Sequence, residues 1–164
     1  MTVELTVRSA SAFTGRQREA FKELVLKDPQ VQKDGLSARI AGAHYLAFLY
    51  LGGELVGVNA IKNNRPYQRT LEDRAGVALP DTEYLGEVGY LHVDKNHRRA
   101  RLADVLILAT FAVVKGKGLF ATIQSMNVGS RRLFESHGFT QVGNSWPSNK
   151  VKDQVNLYVR PARQ

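Results

Sequence analysis

The segment from Tyr84 to Ser125 constrains the fold more than any other stretch of this chain. YLGEVGYLHV (84–93), with its Tyr and Val content, reads as a strand. A basic turn, DKNHRRAR (94–101), follows it. Next come an apolar helix from about Leu102 to Val114 and a second strand, LFATIQS (119–125). Gly116 and Gly118 end the helix in the usual C-terminal way. Strand, helix and strand in close succession predict a parallel, right-handed crossover.

The flanking sequence supplies the rest of a sheet. TVELTVR (2–8) alternates Val3, Leu5 and Val7 on one face and reads as a strand. Thr14 and Gln17 have capping-box spacing ahead of the apolar stripe Phe21, Leu24 and Val25, and Asp28-Pro29 is a stop signal. A second helical stretch spans roughly Val31 to Ala41, interrupted by Gly35. YLAFLYLGGELVGVNAI (45–61) reads as a hairpin turning at Gly52-Gly53. The polar connection from Lys62 to Glu83 places Tyr67, Leu71 and Ala75 at helical spacing. It is either a functional loop or a cover for a sheet edge. NVGSRRLFESH (127–137) reads as a helix. Two strands finish the chain, one around Thr140 to Gly143 and one through Val155, Leu157 and Val159. The order predicts a mixed α/β (α+β) fold with one sheet in one domain, residues 1–164.

Charge points to an anion at the basic turn. The formal net charge is +8, and Lys95, Arg98, Arg99 and Arg101 form its densest cluster. The turn precedes a helix, whose first N–H groups lack intrahelical acceptors and whose dipole is positive at that end. A phosphate or diphosphate suits such a place.

The same turn carries a resemblance. HRRARLA (97–103) resembles the phosphate-binding turn of the GNAT superfamily, Gln/Arg-x-x-Gly-x-Gly/Ala, with Arg98 at the first position and Ala103 at the last. Arg101 stands where the family prefers glycine, and arginine is expected there in helical angles. NVGSRRLFESHGF (127–139) resembles the later motif Asn-x-x-Ala-x-x-Leu-Tyr-x-x-x-Gly-Phe through Asn127, Leu133, Gly138 and Phe139. Ser130 replaces alanine and Phe134 replaces tyrosine. The resemblance covers Tyr84 to Gly143. It implies six to seven strands, four to five helices, and splayed fourth and fifth strands.

It also implies an N-acetyltransferase that uses acetyl-CoA as acyl donor and an amine as acceptor. Leu91, His92 and Val93 would hold the pantetheine and acyl group. The backbone of Arg98, Arg99, Ala100, Arg101, Leu102 and Ala103 would hold the diphosphate. Asn127 would contact the cofactor arm, with Ser130 beside it, and Phe134 would lie near the thioester sulfur. Acyl transfer to an ammonium substrate needs a base. Glu87, six residues before Val93, stands where the resemblance places a carboxylate and is the candidate, pairing with an arginine being its alternative role. Strict alternation sets it with Leu85, Gly89, Leu91 and Val93, unless a bulge of the kind the family's fourth strand often carries intervenes. Phe134 has no proton to give, so Tyr90, Ser130, His137, Tyr158 or water would protonate the leaving thiolate.

Other classes are disfavoured. The chain has no cysteine, which excludes thiolate chemistry and fits a reducing cytoplasm. His44, His92, His97 and His137 show no metal-ligand spacing, so no metal site is expected. The N-terminal residues do not read as a signal peptide, and the apolar run Leu102 to Val114 is too short to span a bilayer and reads as a buried helix, so no membrane role is expected. The polar stretch around Trp146 reads as a loop anchored on the core. Two alternative functions remain: acetylation of an aminoacyl-tRNA, which the basic surface would grip, and a non-catalytic CoA-binding regulatory module. The chain would act as a monomer or homodimer.

Overall fold

Local signals set the element boundaries in the computed structural model, which describes residues 1–98 and 100–163. In chain order the elements are β1 (Val3–Arg8), α1 (Gly15–Val25), α2 (Leu36–Ala41), β2 (Tyr45–Leu51), β3 (Glu54–Lys62), α3 (Arg65–Ala75) and β4 (Tyr84–Val93). There follow α4 (Leu102–Val113), β5 (Gly118–Gln124), α5 (Val128–Ser136), β6 (Thr140–Pro147) and β7 (Gln154–Arg160). Thr14 and Gln17 cap α1 reciprocally, at 2.8 and 3.1 Å. Gly35 is left-handed (φ 71°), so α2 starts only at Leu36; the predicted first half, from Val31, is not helical. Gly52 and Gly53, with φ 56° and 84°, close the β2–β3 hairpin, a conformation that side chains with a Cβ resist.

The strands form one mixed sheet in the order β1-β2-β3-β4-β5-β7-β6. β4 and β5 run parallel, as the crossover requires. The pairs β1–β2, β2–β3, β5–β7 and β6–β7 are antiparallel. The sheet and the five helices match the predicted class. The chain condenses into two compact units, residues 1–63 with 88–113 and residues 64–87 with 114–164, so β4 contributes its first part to one and its second part to the other.

In the first unit, α1 and α2 cover one face of β2 and β3. Phe13 and Phe21 close on Phe48 at centroid distances of 4.5 and 5.5 Å, among Leu36, Ile40, Leu46 and Val58. On the other face Leu106 of α4 packs with Ala47, Leu49 and Val56. The helix is not buried all round, as its composition suggested: Leu108 is 54% exposed. Its buried residues are Leu106, Ile107 and Thr110, and Val105 is exposed along with Leu108.

In the second unit, α3 lies on the sheet. Asn64 caps it and Gly76 (φ 69°) ends it. Its Leu71 and Ala75 pack with Leu79 against Phe120, Trp146, Leu157 and Val159. The polar connection therefore contributes a core element and covers a sheet face, where an edge cover had been one expectation. Trp146 belongs to β6, which runs on to Pro147, past the predicted end at Gly143. The strand is irregular between Val142 and Trp146, and Gly143 there is left-handed (φ 68°). A Cβ at Gly143 would collide with the Ala75 carbonyl at the end of α3, which is why the strand bends at a glycine.

Candidate active site

Glu87 is the last residue of β4 in register with β5. The parallel register runs Tyr84↔Gly118, Gly86↔Leu119 and Glu87↔Phe120, and among the described residues it goes no further. The next strand residues of β5, Ala121 to Gln124, continue in register with β7. Glu87 is buried, with 6% of its surface exposed. Thr122 Oγ1 donates to its Oε2 at 3.0 Å. A carboxylate at such depth needs a donor, and the threonine two residues beyond its register partner on β5 supplies one. Thr122 is absent from the sequence-derived site, because its relation to Glu87 arises only when two strands 35 residues apart are set in register.

Beyond Glu87 the pleat of β4 breaks. Tyr90 has φ 59°, a left-handed backbone inside a strand. Such a bulge shifts the alternation by one residue. Gly89 faces the Lys62 side chain, and Tyr90 lies on the same side, its ring 4.4 Å from Lys62 Nζ and edge-on to Phe21. Arg39 Nε donates to Tyr90 Oη at 3.2 Å. Leu91 and Val93 pack instead toward Leu106 and Leu102 of α4. Strict alternation from Glu87 to Val93 is therefore incorrect. His92 is half-buried, and burial, helped by the Arg98 charge, lowers its pKa and favours the neutral ring.

The turn after β4 is held from within. Asp94 accepts from Lys27 Nζ at 2.8 Å and from the Asn96 N–H at 3.0 Å. The Lys27 ammonium, then the Asn96 amide, draw its pKa down to about 2. Arg98 Nε donates to the Val93 carbonyl at 3.1 Å. Arg99 lies outside the described residues. Ala100 is exposed. Arg101 has φ 57°, so it does not take the helical angles expected of it. It adopts the left-handed conformation that glycine would take freely. Its carbonyl accepts the first intrahelical bond of α4, from the Val105 N–H at 3.3 Å. The amides of Leu102, Ala103 and Asp104 thus precede the helical ladder. The Arg101 side chain is 84% exposed and lies 3.5 Å from Asp104.

The second motif is mainly structural in what it displays. Asn127 caps α5, its Oδ1 accepting from the Ser130 N–H at 3.1 Å. Phe134 is buried edge-to-face against Phe139, with centroids 5.0 Å apart. Of the alternative proton donors, Tyr158 is fully buried and its Oη donates to Gln141 at 3.4 Å. No group of three or more metal-ligating side chains forms among the described residues. No described helix is long and apolar enough to cross a membrane.

Residues 10–139 match the model of the acetyltransferase (GNAT) family. No curated protein matches the sequence. Solved structures with the same fold include Escherichia coli ElaA, 14% identical with a TM-score of 0.72 over 97% of this chain and 99% of that one. Arabidopsis thaliana NAA60 in complex with a bisubstrate analogue is 13% identical, with a TM-score of 0.68 over 98% and 99%. An acyl-CoA N-acyltransferase from Pseudomonas aeruginosa is 9% identical, with a TM-score of 0.67 over 97% and 99%.

Proposed function

We infer, since the chain belongs to the acetyltransferase (GNAT) family, that it moves an acetyl or short acyl group from acyl-CoA to a primary amine of a small molecule or peptide. The observation that carries this reading is Glu87, a buried carboxylate fixed by Thr122 where the β4–β5 register ends. When bound, acyl-CoA supplies an activated acyl thioester. The chain's own residues supply the rest.

The turn into α4 fits a diphosphate. Leu102, Ala103 and Asp104 present amides without intrahelical acceptors, and Arg98 and Arg101 are exposed cations beside them in sequence. Backbone groups of Leu91, His92 and Val93 hold the cofactor arm. Asn127, Ser130 and Phe134 serve as its further contacts.

Glu87 takes a proton from the acceptor ammonium, which frees the nitrogen lone pair for attack. Thr122, donating to Oε2, holds the carboxylate in one rotamer. Thr122 is a positioning residue. Phe134 has no acidic hydrogen, so the reaction runs without a proton donor at that position; a thiolate is a fair leaving group.

The test is CoA release over a panel of amines, peptides and charged tRNAs, with thermal shift reporting acetyl-CoA binding. Glu87→Gln is expected to lower kcat by about 10²–10⁴ while leaving the acetyl-CoA thermal shift intact. Unchanged turnover removes Glu87 as base, and no thermal shift at millimolar acetyl-CoA removes the cofactor. Thr122→Val is expected to lower kcat about tenfold with KM little changed, since a hydrogen bond to a charged group is lost. Thr122→Ser should restore it.

A further inference from the structure

One edge of the sheet is straight, free of proline and self-complementary in charge. β1 is terminal in the strand order, so among the described residues its outer side has no strand neighbour. Edge strands are normally blunted by proline, a bulge or an inward charge. VELTVR has no proline, and its register with β2 is unbroken from Val3 to Arg8. Its apolar side chains are also uncovered: Val3 is 61% and Leu5 40% exposed. Val7 packs into the cluster beneath α4, so Val3 and Leu5 share that face by alternation. Leu108 and Val105 of α4 are exposed as well.

We propose that β1 pairs antiparallel with β1 of a second copy about a two-fold axis through Thr6. The backbone fixes which registers are possible. The Gly52 N–H donates to the Thr2 carbonyl at 2.8 Å, so even-numbered residues of β1 direct their backbone groups to β2. Val3, Leu5 and Val7 direct theirs outward. In an antiparallel pair, facing residues must both be outward or both inward, so only a residue faces one of its own parity. A two-fold axis then falls on a residue, and the two central ones, Leu5 and Thr6, keep the longest overlap of the strands.

Charge decides between them. With the axis on Thr6, Glu4 faces the second copy's Arg8, and Arg8 its Glu4, in the closely spaced kind of pair. Leu5 then faces Val7, and their outward N–H and C=O groups bond one another. With the axis on Leu5, Glu4 instead faces Thr6, and both Glu4 and Arg8 of the second copy lie diagonal to it, so no opposite charges face each other directly. Glu4 and Arg8 are both exposed, and neither forms an ion pair among the described residues. Each is available to the other's copy. A closed two-fold pairing of this kind removes both edges at once.

The absence of cysteine makes the test clean. Thr6→Cys places two sulfurs opposite each other on the axis, and is expected to give a disulfide-linked dimer under mild oxidant. Leu5→Cys should cross-link far less. Sedimentation of the full chain is expected to show a dimer that Glu4→Arg or Arg8→Glu alone dissociates, and that the double exchange restores. Faster cross-linking through Leu5→Cys overturns the register. A monomer at all concentrations with no Thr6→Cys disulfide, or a dimer indifferent to the charge changes, overturns the proposal.

Discussion

Left-handed backbone recurs along this chain, and two of the regions that use it do so with different residues. In the hairpin at Gly52-Gly53 and the bend at Gly143, glycine takes the conformation at no steric cost. Between Tyr90 and Arg101, the same backbone region is occupied twice by residues with large side chains. The glycine turns hold themselves. The 90–101 stretch is held by bonds from outside it or along it: Arg39 to Tyr90, Lys27 to Asp94, Arg98 to the Val93 carbonyl. Strained backbone that its surroundings over-determine is a mark of functional segments. Here it coincides with the turn that resembles a phosphate site.

Exchanging the residue types between the two regions breaks or sharpens this contrast. The largest effect is expected at the glycine bend. Gly143→Ala should destabilise the protein by about 2–4 kcal/mol in urea unfolding, from a left-handed alanine together with overlap at the Ala75 carbonyl. A loss within experimental error would mean that β6 can reroute. Arg101→Gly should act the other way. Relief of a left-handed side chain, less the greater chain entropy of glycine, leaves a gain of about 0.5–1 kcal/mol. The exposed Arg101–Asp104 contact subtracts little. If the same variant also binds acetyl-CoA more weakly, the arginine is kept for its charge; unchanged affinity would make the strain incidental.

The smallest effect is in acid. Because Asp94 is held down to about 2, its contribution is complete above the unfolded value near 3.9 and is lost as pH falls through about 2. Wild type should therefore lose stability relative to Asp94→Asn between about pH 4 and pH 2 in thermal melts. Parallel curves would show that Lys27 does not hold the turn.

Much of this was legible in the sequence because it is local. The Thr14 and Gln17 cap, the two-glycine hairpin and the crossover from β4 to β5 each lie within a few turns of chain. Glu87 could be named as a candidate because the resemblance puts a carboxylate at that place on the strand. Thr122 could not, since no short-range signal joins it to Glu87. The left-handed angles at Tyr90 and Arg101 were hidden for another reason. Neither residue type favours them, so only tertiary contacts select them, and the alternation drawn through Leu91 and Val93 failed at that bulge. The exposed side of α4 was hidden as well, because its composition is apolar on every side.

The misstep at Tyr90 has a consequence for anyone probing the strand. An extra residue in a ladder leaves main-chain amides and carbonyls that no neighbouring strand claims. A guest that docks there reads peptide groups, which Leu91, His92 and Val93 would offer whatever side chains they bore. Alanine scanning across those three positions would then look nearly silent, and replacing single amide linkages by esters would expose the grip.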